Sequence, residues 1–586
     1  MVEEILLLLF LITFFIFAIN LMLRIRLYNK RVDLGSLILH EFKEGLKGGV
    51  GYMHFSIAAG VVLSVLLAVL SPFRTLALAL WIISLPVMAG LFAAAVYRVG
   101  VFIRSGLIHS RLGEEKEFVK ESSKMQLVLL LIIVLTFLDV LLSVFIPWLS
   151  LSVGIARNIL LSVFYVKPAA NLFVNHTREL TSFRTPFRLE DVLEGRVKPE
   201  EIKFGYEKMS DMDKDVMLSC QSCGEIGACD ASCPAVAAGR LLSPRVVVRT
   251  VALNSGNPEF EVAVKLERHA WACTTCGACV YSCPVKVNHL DVIYGARRAL
   301  VAQSRVDKKI ADVLMSLSQY NNTMSMPNAG RHDWLRELGV RHITENPEAE
   351  YLLWVGCMGS FDSRSKEIIK AFVAILQRAG MLNKVAILGD EETCCGDPAR
   401  RLGEESRFQE IVLNNKQIFE KYNIKRIITI CPHGYNVFKN EYPEFGVRLE
   451  VYHHSQIIQR LISDGKISVK EGKETLTIHD PCYLARYNKV VEPQRKILIK
   501  LGVVKEPPRR GEKTFCCGAG GANYWYDVPE EKRISHIRFE ELVATGASTI
   551  ATLCPFCNAM LSDAKRTKES AVAVKDIAEV VAEKLA

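Results

Sequence analysis

Long apolar runs occupy the first 176 residues, and the rest of the chain has the mixed pattern of a globular protein. The first run has an acidic flank, Met-Val-Glu-Glu, and no small-residue cleavage site follows it, which argues against a cleaved signal peptide. Five runs are each long enough to cross about 30 Å of hydrocarbon: about 5–23, 53–71, 76–97, 126–148 and 150–174. The pattern predicts a five-helix transmembrane bundle over residues 1–176.

Basic residues between these runs predict an orientation. The segments 24–52 and 98–124 hold six Lys or Arg residues each, whereas the turns at 72–75 and 149 contain only Arg74. The positive-inside rule then places the N-terminus outside and residues 175–586 in the cytoplasm. We therefore expect a multi-pass protein of the cell membrane, with its remaining domains on the cytoplasmic side.

The C-terminal half alternates strand-like and helical patterns, and it repeats itself. "YLLWVGC", "KVAILG" and "RIITIC" read as strands that end at Cys or Gly, and "SKEIIKAFVAILQRAG" has helical periodicity. Cysteines recur at offsets of 122 to 125 residues: Cys357, Cys394, Cys395 and Cys431, then Cys482, Cys516, Cys517 and Cys554. The pattern predicts two repeated α/β domains with these cysteines at the carboxyl ends of strands.

Composition adds little beyond this division. The chain has 586 residues, a mean hydropathy of +0.20 and a net charge of +9. The charge excess comes largely from the loops of the apolar region, so it does not indicate nucleic-acid binding. All 17 cysteines lie between Cys220 and Cys557, on the predicted cytoplasmic side, where disulfides are disfavoured. Metal or redox chemistry is their expected use.

Two cysteine runs are typical of bacterial ferredoxins. "CQSCGEIGACDASCP" begins at Cys220 and "CTTCGACVYSCP" begins at Cys273. In such pairs the fourth cysteine of each run ligates the other cluster. The alternative, a pair of zinc ribbons, is not favoured by eight cysteines with two Cys-Pro endings. The prediction is two [4Fe–4S] cubanes, one on Cys220, Cys223, Cys229 and Cys283, the other on Cys273, Cys276, Cys279 and Cys233.

The adjacent cysteines in "FCCGAGGANYW" call for a site with several irons. The second repeat supplies a fifth thiol, Cys557, which exceeds what one zinc or one cubane takes. The glycines after Cys517 allow close approach of the backbone. The first repeat has Gly434 in place of that fifth cysteine, and its site is left open between a cubane, a zinc, a depleted cluster and none: Cys357, Cys394, Cys395 and Cys431.

The repeat resembles the cysteine-rich CCG domains of the heterodisulfide reductase catalytic subunit, the glycolate oxidase iron–sulfur subunit and relatives of succinate:quinone reductase. "WVGCMGSFDSR", "HDPCYLARYN" and "FCCGAGG" resemble the membrane-anchored iron–sulfur oxidoreductases that pass electrons from electron-transfer flavoprotein to menaquinone. The resemblance implies a non-cubane [4Fe–4S] cluster on Cys482, Cys516, Cys517, Cys554 and Cys557.

The apolar region resembles the cytochrome b subunit of respiratory nitrate reductases, which has four haem-ligating histidines. His54 and His176 match one pair, and Ser64 and Asn158 stand at the other. The resemblance implies one b-type haem on His54 and His176, with fallback ligands at His40 and His109; interfacial residues are the alternative. We expect Asp139 and Arg157 to pair where a second haem would sit.

The chain shows no flavin or nicotinamide fingerprint, and "GAGG" lacks the dinucleotide-binding spacing. We therefore expect electrons to arrive from a protein partner, electron-transfer flavoprotein, and to leave to a membrane quinone. A heterodisulfide or sulfur-compound reductase and a redox sensor or scaffold are the alternatives. The predicted domains are a membrane domain at 1–176, a linker at 177–215, a ferredoxin domain at 216–300, a linker at 301–345, and CCG domains at 346–460 and 461–586.

Overall fold

The computed structural model describes residues 5–6, 8–16, 59–63, 65–68, 80–96, 99, 116–143, 146–161, 184–225, 227–283 and 285–586. Helical backbone occurs within 8–16, 59–68 and 80–96. The helices up to the end of the ferredoxin domain are α1 Lys116–Leu142, α2 Pro147–Leu160, α3 Leu189–Leu193, α4 Lys214–Gln221, α5 Ala228–Ser232, α6 Pro234–Ala237, α7 Pro244–Asn254, α8 Val262–Ala272, α9 Ala278–Ser282 and α10 His289–Ala302.

The later helices cover the two sheets. They are α11 Lys308–Tyr320, α12 Asp333–Glu337, α13 Gly356–Phe361, α14 Ser363–Arg378, α15 Asp397–Leu402, α16 Glu405–Lys421, α17 Pro432–Asn436, α18 His454–Ser463, α19 Cys482–Ala485, α20 Glu492–Leu501, α21 Ile534–Val543, α22 Pro555–Thr567 and α23 Ile577–Ala582. The strands are β1 Arg341–His342, β2 Tyr351–Trp354, β3 Val385–Ile387, β4 Arg426–Thr429, β5 Glu450–His453, β6 Thr475–Ile478, β7 Val503–Val504, β8 Thr549–Thr552 and β9 Ala573–Asp576.

The predicted five-helix transmembrane bundle is wrong. Within the described part of the chain, no helix has both the length and the apolar character that crossing a membrane requires. The predicted haem ligands His54 and His176, and also His40 and His109, lie outside the described residues.

The predicted pairing of Asp139 with Arg157 is confirmed. Nη1 of Arg157 on α2 lies 2.6 Å from Oδ2 of Asp139 on α1, and both side chains are buried. Ser150 Oγ donates to the other carboxylate oxygen at 2.6 Å. A buried ion pair of this kind is retained because either charge alone would be strongly destabilising.

The ferredoxin domain has internal two-fold similarity. Helices α5 and α9 begin after Gly227 and Gly277, both in the left-handed region with φ of +78° and +72°. Ser232 and Ser282 lie at equivalent positions, and their Oγ atoms are 2.7 Å apart. Each hydroxyl donates to the carbonyl of the first residue of the opposite helix at 3.2 Å. This contact places the two cysteine runs side by side.

The predicted α/β repeat is confirmed in its strand order. The first sheet has the order β1-β3-β2-β4-β5, and the second has the order β7-β6-β8-β9, all parallel. Strands β3-β2-β4-β5 therefore correspond to β7-β6-β8-β9, and β1 is an addition at one edge. The two sheets belong to one continuous hydrophobic core that includes Leu353, Ile428, Leu476 and Ile478.

Residues 301–345, predicted as a polar linker, are an integral part of that core. Helix α11 buries Ile310, Val313 and Leu317 against the first sheet, and strand β1 pairs with β3. The spacing of these apolar residues is the helical i, i+3, i+7 pattern, diluted by the charged start of the helix. Of the other predicted linker, residues 184–215 include the short helix α3, whose Leu189 N–H donates to Gln409 Oε1 on α16 at 2.7 Å.

Candidate metal centres

The ferredoxin fold brings the eight cysteines of 216–300 into two groups that cross between the runs. Cys283 of the second run lies close enough to Cys223 and Cys229 to act on them electrostatically, and Cys233 of the first run acts in the same way on Cys279. The structure thus places Cys283 beside Cys223 and Cys229, and it places Cys233 beside Cys273, Cys276 and Cys279. This is the arrangement that the crossed ligand sets require.

A small cavity lies at the second of these groups, and its lining shows whether the residues suit a cluster. Its lining includes Cys233, Cys273, Cys276 and Cys279, and the other walls are mostly apolar. Burial raises the pKa of Cys273 to about 11. Buried thiols of this kind gain stability when a metal replaces their protons, so the donor set fits an iron–sulfur cluster.

Buried arginines supply positive charge beside the first group. Arg249 Nε lies 2.7 Å from the Glu225 carboxylate, and Arg245 Nε lies 3.2 Å from that of Asp230. Glu225 belongs to the three additional residues of the first cysteine run and has a left-handed φ of +53°. The predicted bulge before Cys229 therefore holds a buried ion pair beside the predicted ligands.

The five cysteines of the second α/β unit lie together in a line of thiols. Cys557 Sγ lies 3.3 Å from Cys517 Sγ. Hydrogen bonds from Cys276 and Cys482 lower the pKa of Cys516, and those from Cys516 and Cys557 lower the pKa of Cys517. All five are buried. The donor set suits a cluster with several irons, and its ligand roles stay a prediction.

Cys276 joins this line to the ferredoxin domain. Its hydrogen bond to Cys516, together with burial, raises the pKa of Cys276 well above its usual range. Cys276 also lines the cavity of the ferredoxin domain. The second cubane site and the site of the second unit therefore share a boundary at which the sulfur atoms are in contact.

Two buried arginines clamp this boundary. Arg486 Nη1 donates to the carbonyl of Cys276 at 2.6 Å, and Arg486 Nε donates to that of Glu512 at 2.9 Å. Arg297 donates to the carbonyls of Cys273 at 2.7 Å and Gly521 at 2.9 Å. Each guanidinium thereby ties the ferredoxin loop to the second unit and brings a positive charge to the thiols.

The glycines of "GAGG" allow the same contact. A β-carbon at Gly520 would lie 2.4 Å from the carbonyl oxygen of Thr274, and one at Gly521 would lie 2.5 Å from that of Cys273. Gly521 also has a left-handed φ of +64°. The sequence predicts that these glycines approach a cluster, and the structure places them against the ferredoxin loop that carries the predicted ligands.

The first α/β unit also collects its four cysteines. A hydrogen bond from Cys394 lowers the pKa of Cys357 to about 6, and Cys395 acts electrostatically on Cys431. A small cavity is lined by all four cysteines and by Gly434. A β-carbon at Gly434 would lie 4.0 Å from Cys395 Sγ. Gly434 thus stands where a fifth thiol would face the site.

The two units meet at their cysteines. Burial opposes ionisation of Cys554, but hydrogen bonds from Cys431 and Cys557 lower its pKa well below the usual range. Next to this contact the ring of His433 stacks on Tyr483 with 4.3 Å between centroids, and His433 Nδ1 lies 3.0 Å from Asp397 Oδ2. A line of sulfur atoms therefore runs from the ferredoxin domain through the second unit to the first.

Sequence reasoning missed the arginines of this arrangement. Arg486 lies within the "HDPCYLARYN" stretch and Arg297 within α10, and nothing in their local spacing indicates a contact with a remote loop. The pattern "HDPC" favours a hydrogen-bonded packing role for His479 over a role as a ligand. In the structure, one of its ring nitrogens lies within 4.8 Å of the sulfurs of Cys517 and Cys557.

Comparison with known proteins agrees with this division. A family model described as a cysteine-rich domain (CCG) matches residues 351–439 and 476–562. A model described as a 4Fe-4S dicluster domain matches residues 216–287. The two matches cover the α/β units and the ferredoxin domain.

Three named relatives share these domains. The "Probable iron-sulfur-binding oxidoreductase FadF" of Bacillus subtilis is 35% identical, over 65% of this chain and 62% of that protein. The "EtfAB:quinone oxidoreductase" of Syntrophomonas wolfei is 34% identical, over 64% and 60%. One subunit of the dihydromethanophenazine:CoB--CoM heterodisulfide reductase of Methanosarcina barkeri is 29% identical, over 53% and 77%. The chain spans less than two thirds of the length of the first two. The chain therefore contains two cysteine-rich CCG domains and a 4Fe-4S dicluster domain, and it is similar to iron–sulfur oxidoreductases, among them a heterodisulfide reductase subunit.

Proposed function

We propose that this protein transfers electrons from a soluble flavoprotein, of the electron-transfer flavoprotein class, to a quinone. The eight ferredoxin cysteines would hold two [4Fe–4S] cubanes in the crossed arrangement, and the five cysteines of the second unit would hold one non-cubane [4Fe–4S] cluster. When bound, these clusters supply one-electron carriers.

The observation that carries the proposal is that Cys276 and Cys482 are both hydrogen-bonded to Cys516. It makes the second cubane site and the site of the second unit immediate neighbours. Arg297 and Arg486 fix the two loops relative to one another, so that this spacing is maintained. Both arginines are buried and bring positive charge to a place where anionic thiolates would gather.

The choice of donor and acceptor rests on one named relative. The Syntrophomonas protein is named for EtfAB and quinone. We extend both to this chain because neither a flavin nor a nicotinamide fingerprint occurs in its sequence. Hydride chemistry then has to take place on the partner.

The location and the haem complete the proposal. Quinones reside in the bilayer, so we propose that the protein works at the cell membrane with its cluster domains on the cytoplasmic side. A b-type haem on His54 and His176 also stays a prediction, because both residues lie outside the described part of the chain. Membrane sedimentation and a pyridine haemochrome assay address these two points directly.

Reoxidation of the reduced protein tests the acceptor. The full chain is reduced anaerobically with a low-potential donor and then mixed with a menaquinone analogue or with a thiol disulfide in separate runs. We expect rapid reoxidation by the quinone, slowed about tenfold or more in Cys557→Ser, since Cys557 is a predicted ligand of the second unit. Cys357→Ser, at the far end of the line of thiols, is the matched control and keeps the quinone rate. Reoxidation by the disulfide alone contradicts the proposal.

A second candidate, reduction of a disulfide or related sulfur compound, is favoured by the cavity of the first unit. That cavity is lined by four cysteines, and the lowered pKa of Cys357 leaves it a nucleophilic thiolate at neutral pH. The Methanosarcina relative is named as part of a heterodisulfide reductase. If the protein reduces a disulfide, Cys357→Ser abolishes reoxidation by the disulfide. If it reduces quinone, Cys357→Ser leaves the rate of reoxidation by quinone unchanged.

A further inference from the structure

His479 occupies a fixed place at the edge of the cysteine site in the second unit. It follows strand β6, and its backbone N–H donates to the carbonyl of Ala551 at 2.9 Å. The side chain is 1% exposed. A ring nitrogen of His479 and the sulfurs of Cys517 and Cys557 all lie within 4.8 Å of one another.

Arg538 decides which ring nitrogen carries hydrogen. Arg538 Nε donates to His479 Nδ1 at 3.0 Å, and Arg538 is itself held by Glu541 Oε2 and by the carbonyl of Arg509, both at 2.9 Å. Arginine cannot be deprotonated in a protein, so Nδ1 has to accept. The hydrogen of the imidazole therefore lies on Nε2, which becomes a donor.

The Nε2–H group has no other use among the residues that the structure describes. Nε2 is buried and has no hydrogen-bond partner there, and an unsatisfied buried donor is destabilising. One ring nitrogen of His479 lies within 4.8 Å of the sulfurs of Cys517 and Cys557, and Nε2 is the nitrogen that Arg538 leaves free. A role as an iron ligand would require a lone pair on Nε2, where the tautomer fixed by Arg538 places the hydrogen.

We propose that His479 is a positioning residue whose Nε2–H donates to the Cys517–Cys557 edge of the iron–sulfur cluster and raises the reduction potential of that cluster. The inference rests on the proposed function only in that the second unit holds a cluster. Reduction adds negative charge, so a fixed donor stabilises the reduced form more than the oxidised form. The absence of bulk water from this buried edge strengthens the effect.

The test is potentiometry monitored by EPR on the anaerobically purified full chain, with iron measured in parallel. His479→Leu removes the donor, His479→Gln keeps an amide donor, and Arg538→Met releases the tautomer. His454→Leu is the matched control, because His454 is an equally buried histidine of the same region that contacts Asp576 at 2.8 Å.

We expect the reduced-to-oxidised ratio of the third centre at a fixed potential to fall about tenfold in His479→Leu. This is a shift of about 59 mV for a one-electron couple. The reduction potential of the third centre shifts in the same direction in Arg538→Met. In His479→Gln and His454→Leu it stays near the wild-type value. If His479→Leu loses the centre, the wild-type potential of His479→Gln together with the shift in Arg538→Met still supports the proposal.

Three results overturn it: equal shifts in both His479 variants, no shift in Arg538→Met, or a wild-type protein without a third centre. The measurement uses neither quinone nor flavoprotein. Failure of quinone to reoxidise the protein, with the potential shift intact, therefore overturns the proposed function and leaves this inference standing.

Discussion

Single residues decide how closely the ferredoxin domain and the second α/β unit approach. Gly521 and Gly546 both have left-handed φ, at +64° and +70°, but only Gly521 is packed against another loop. A β-carbon at Gly546 meets only the flexible end of Lys505, at 3.3 Å. Comparison of the two separates backbone strain from close approach.

Gly521→Ala is expected to lower the free energy of unfolding by more than Gly546→Ala. Both carry a left-handed backbone penalty of about 1–2 kcal/mol, and Gly521→Ala adds about 1–3 kcal/mol because the loops have to separate. The measurement is chemical denaturation of the two variants, with EPR of the clusters. Equal destabilisation would contradict the close contact between the two loops.

At the same scale, the sequence indicates candidate ligands but not the residues that surround them. Cysteine spacing is local, so the runs from Cys220 and Cys273 indicate their chemistry without any knowledge of the fold. Arg297 and Arg486 act through carbonyls that are remote in sequence, as in the contact of Arg486 with Cys276 over 210 positions. No local pattern encodes such a contact.

At the scale of elements, the strands and the repeat were predictable because their apolar runs end at Cys or Gly. Helix α11 was not, since its charged start and the polar residues after it make 301–345 read as a linker. Tertiary packing determined the outcome, because the apolar face of α11 packs into the core that the two sheets share. The apolar N-terminal runs caused the opposite error, because they predicted membrane-spanning helices. Hydrophobicity alone does not fix the length or the boundaries of a helix.

Shortening the side chain of Leu317 tests whether α11 belongs to the core. Leu317→Ala is expected to destabilise the protein by about 2–5 kcal/mol, since Leu317 is 0% exposed and the change leaves a cavity. Met315→Ala on the same helix is the control, because Met315 is 54% exposed, and we expect a change within about 0.5 kcal/mol. Urea denaturation measures both. Small and equal changes in the free energy of unfolding of both variants would mean that α11 is not part of the core.

At the scale of the whole molecule, one line of thiols joins the second ferredoxin group, the second unit and the first unit. Cys276 forms the first junction, and the hydrogen bond between Cys431 and Cys554 forms the second. The sequence predicted the groups, and their order in space comes from the packing of the domains. Gly434 interrupts the five-cysteine pattern in the last group only. The number of irons therefore distinguishes the groups that bind metal from those that do not.

Anaerobically purified protein is expected to contain about twelve non-haem irons per chain, four for each of three clusters. Cys516→Ser is expected to lower the number to about eight. Cys394→Ser, at the equivalent position of the first unit, leaves it at about twelve. Iron and sulfide analysis with EPR provides the measurement. An unchanged EPR spectrum in Cys516→Ser, or about sixteen irons in the wild type, would contradict this assignment.

The mutual burial of Cys276 and Cys516 constrains how the protein is made in the cell. The two residues are 6% and 1% exposed, and Arg297 and Arg486 hold their loops closed. A scaffold protein that delivers iron and sulfide cannot reach these thiols in the folded assembly. We therefore expect the newly made ferredoxin domain and second unit to receive their clusters before the two domains dock.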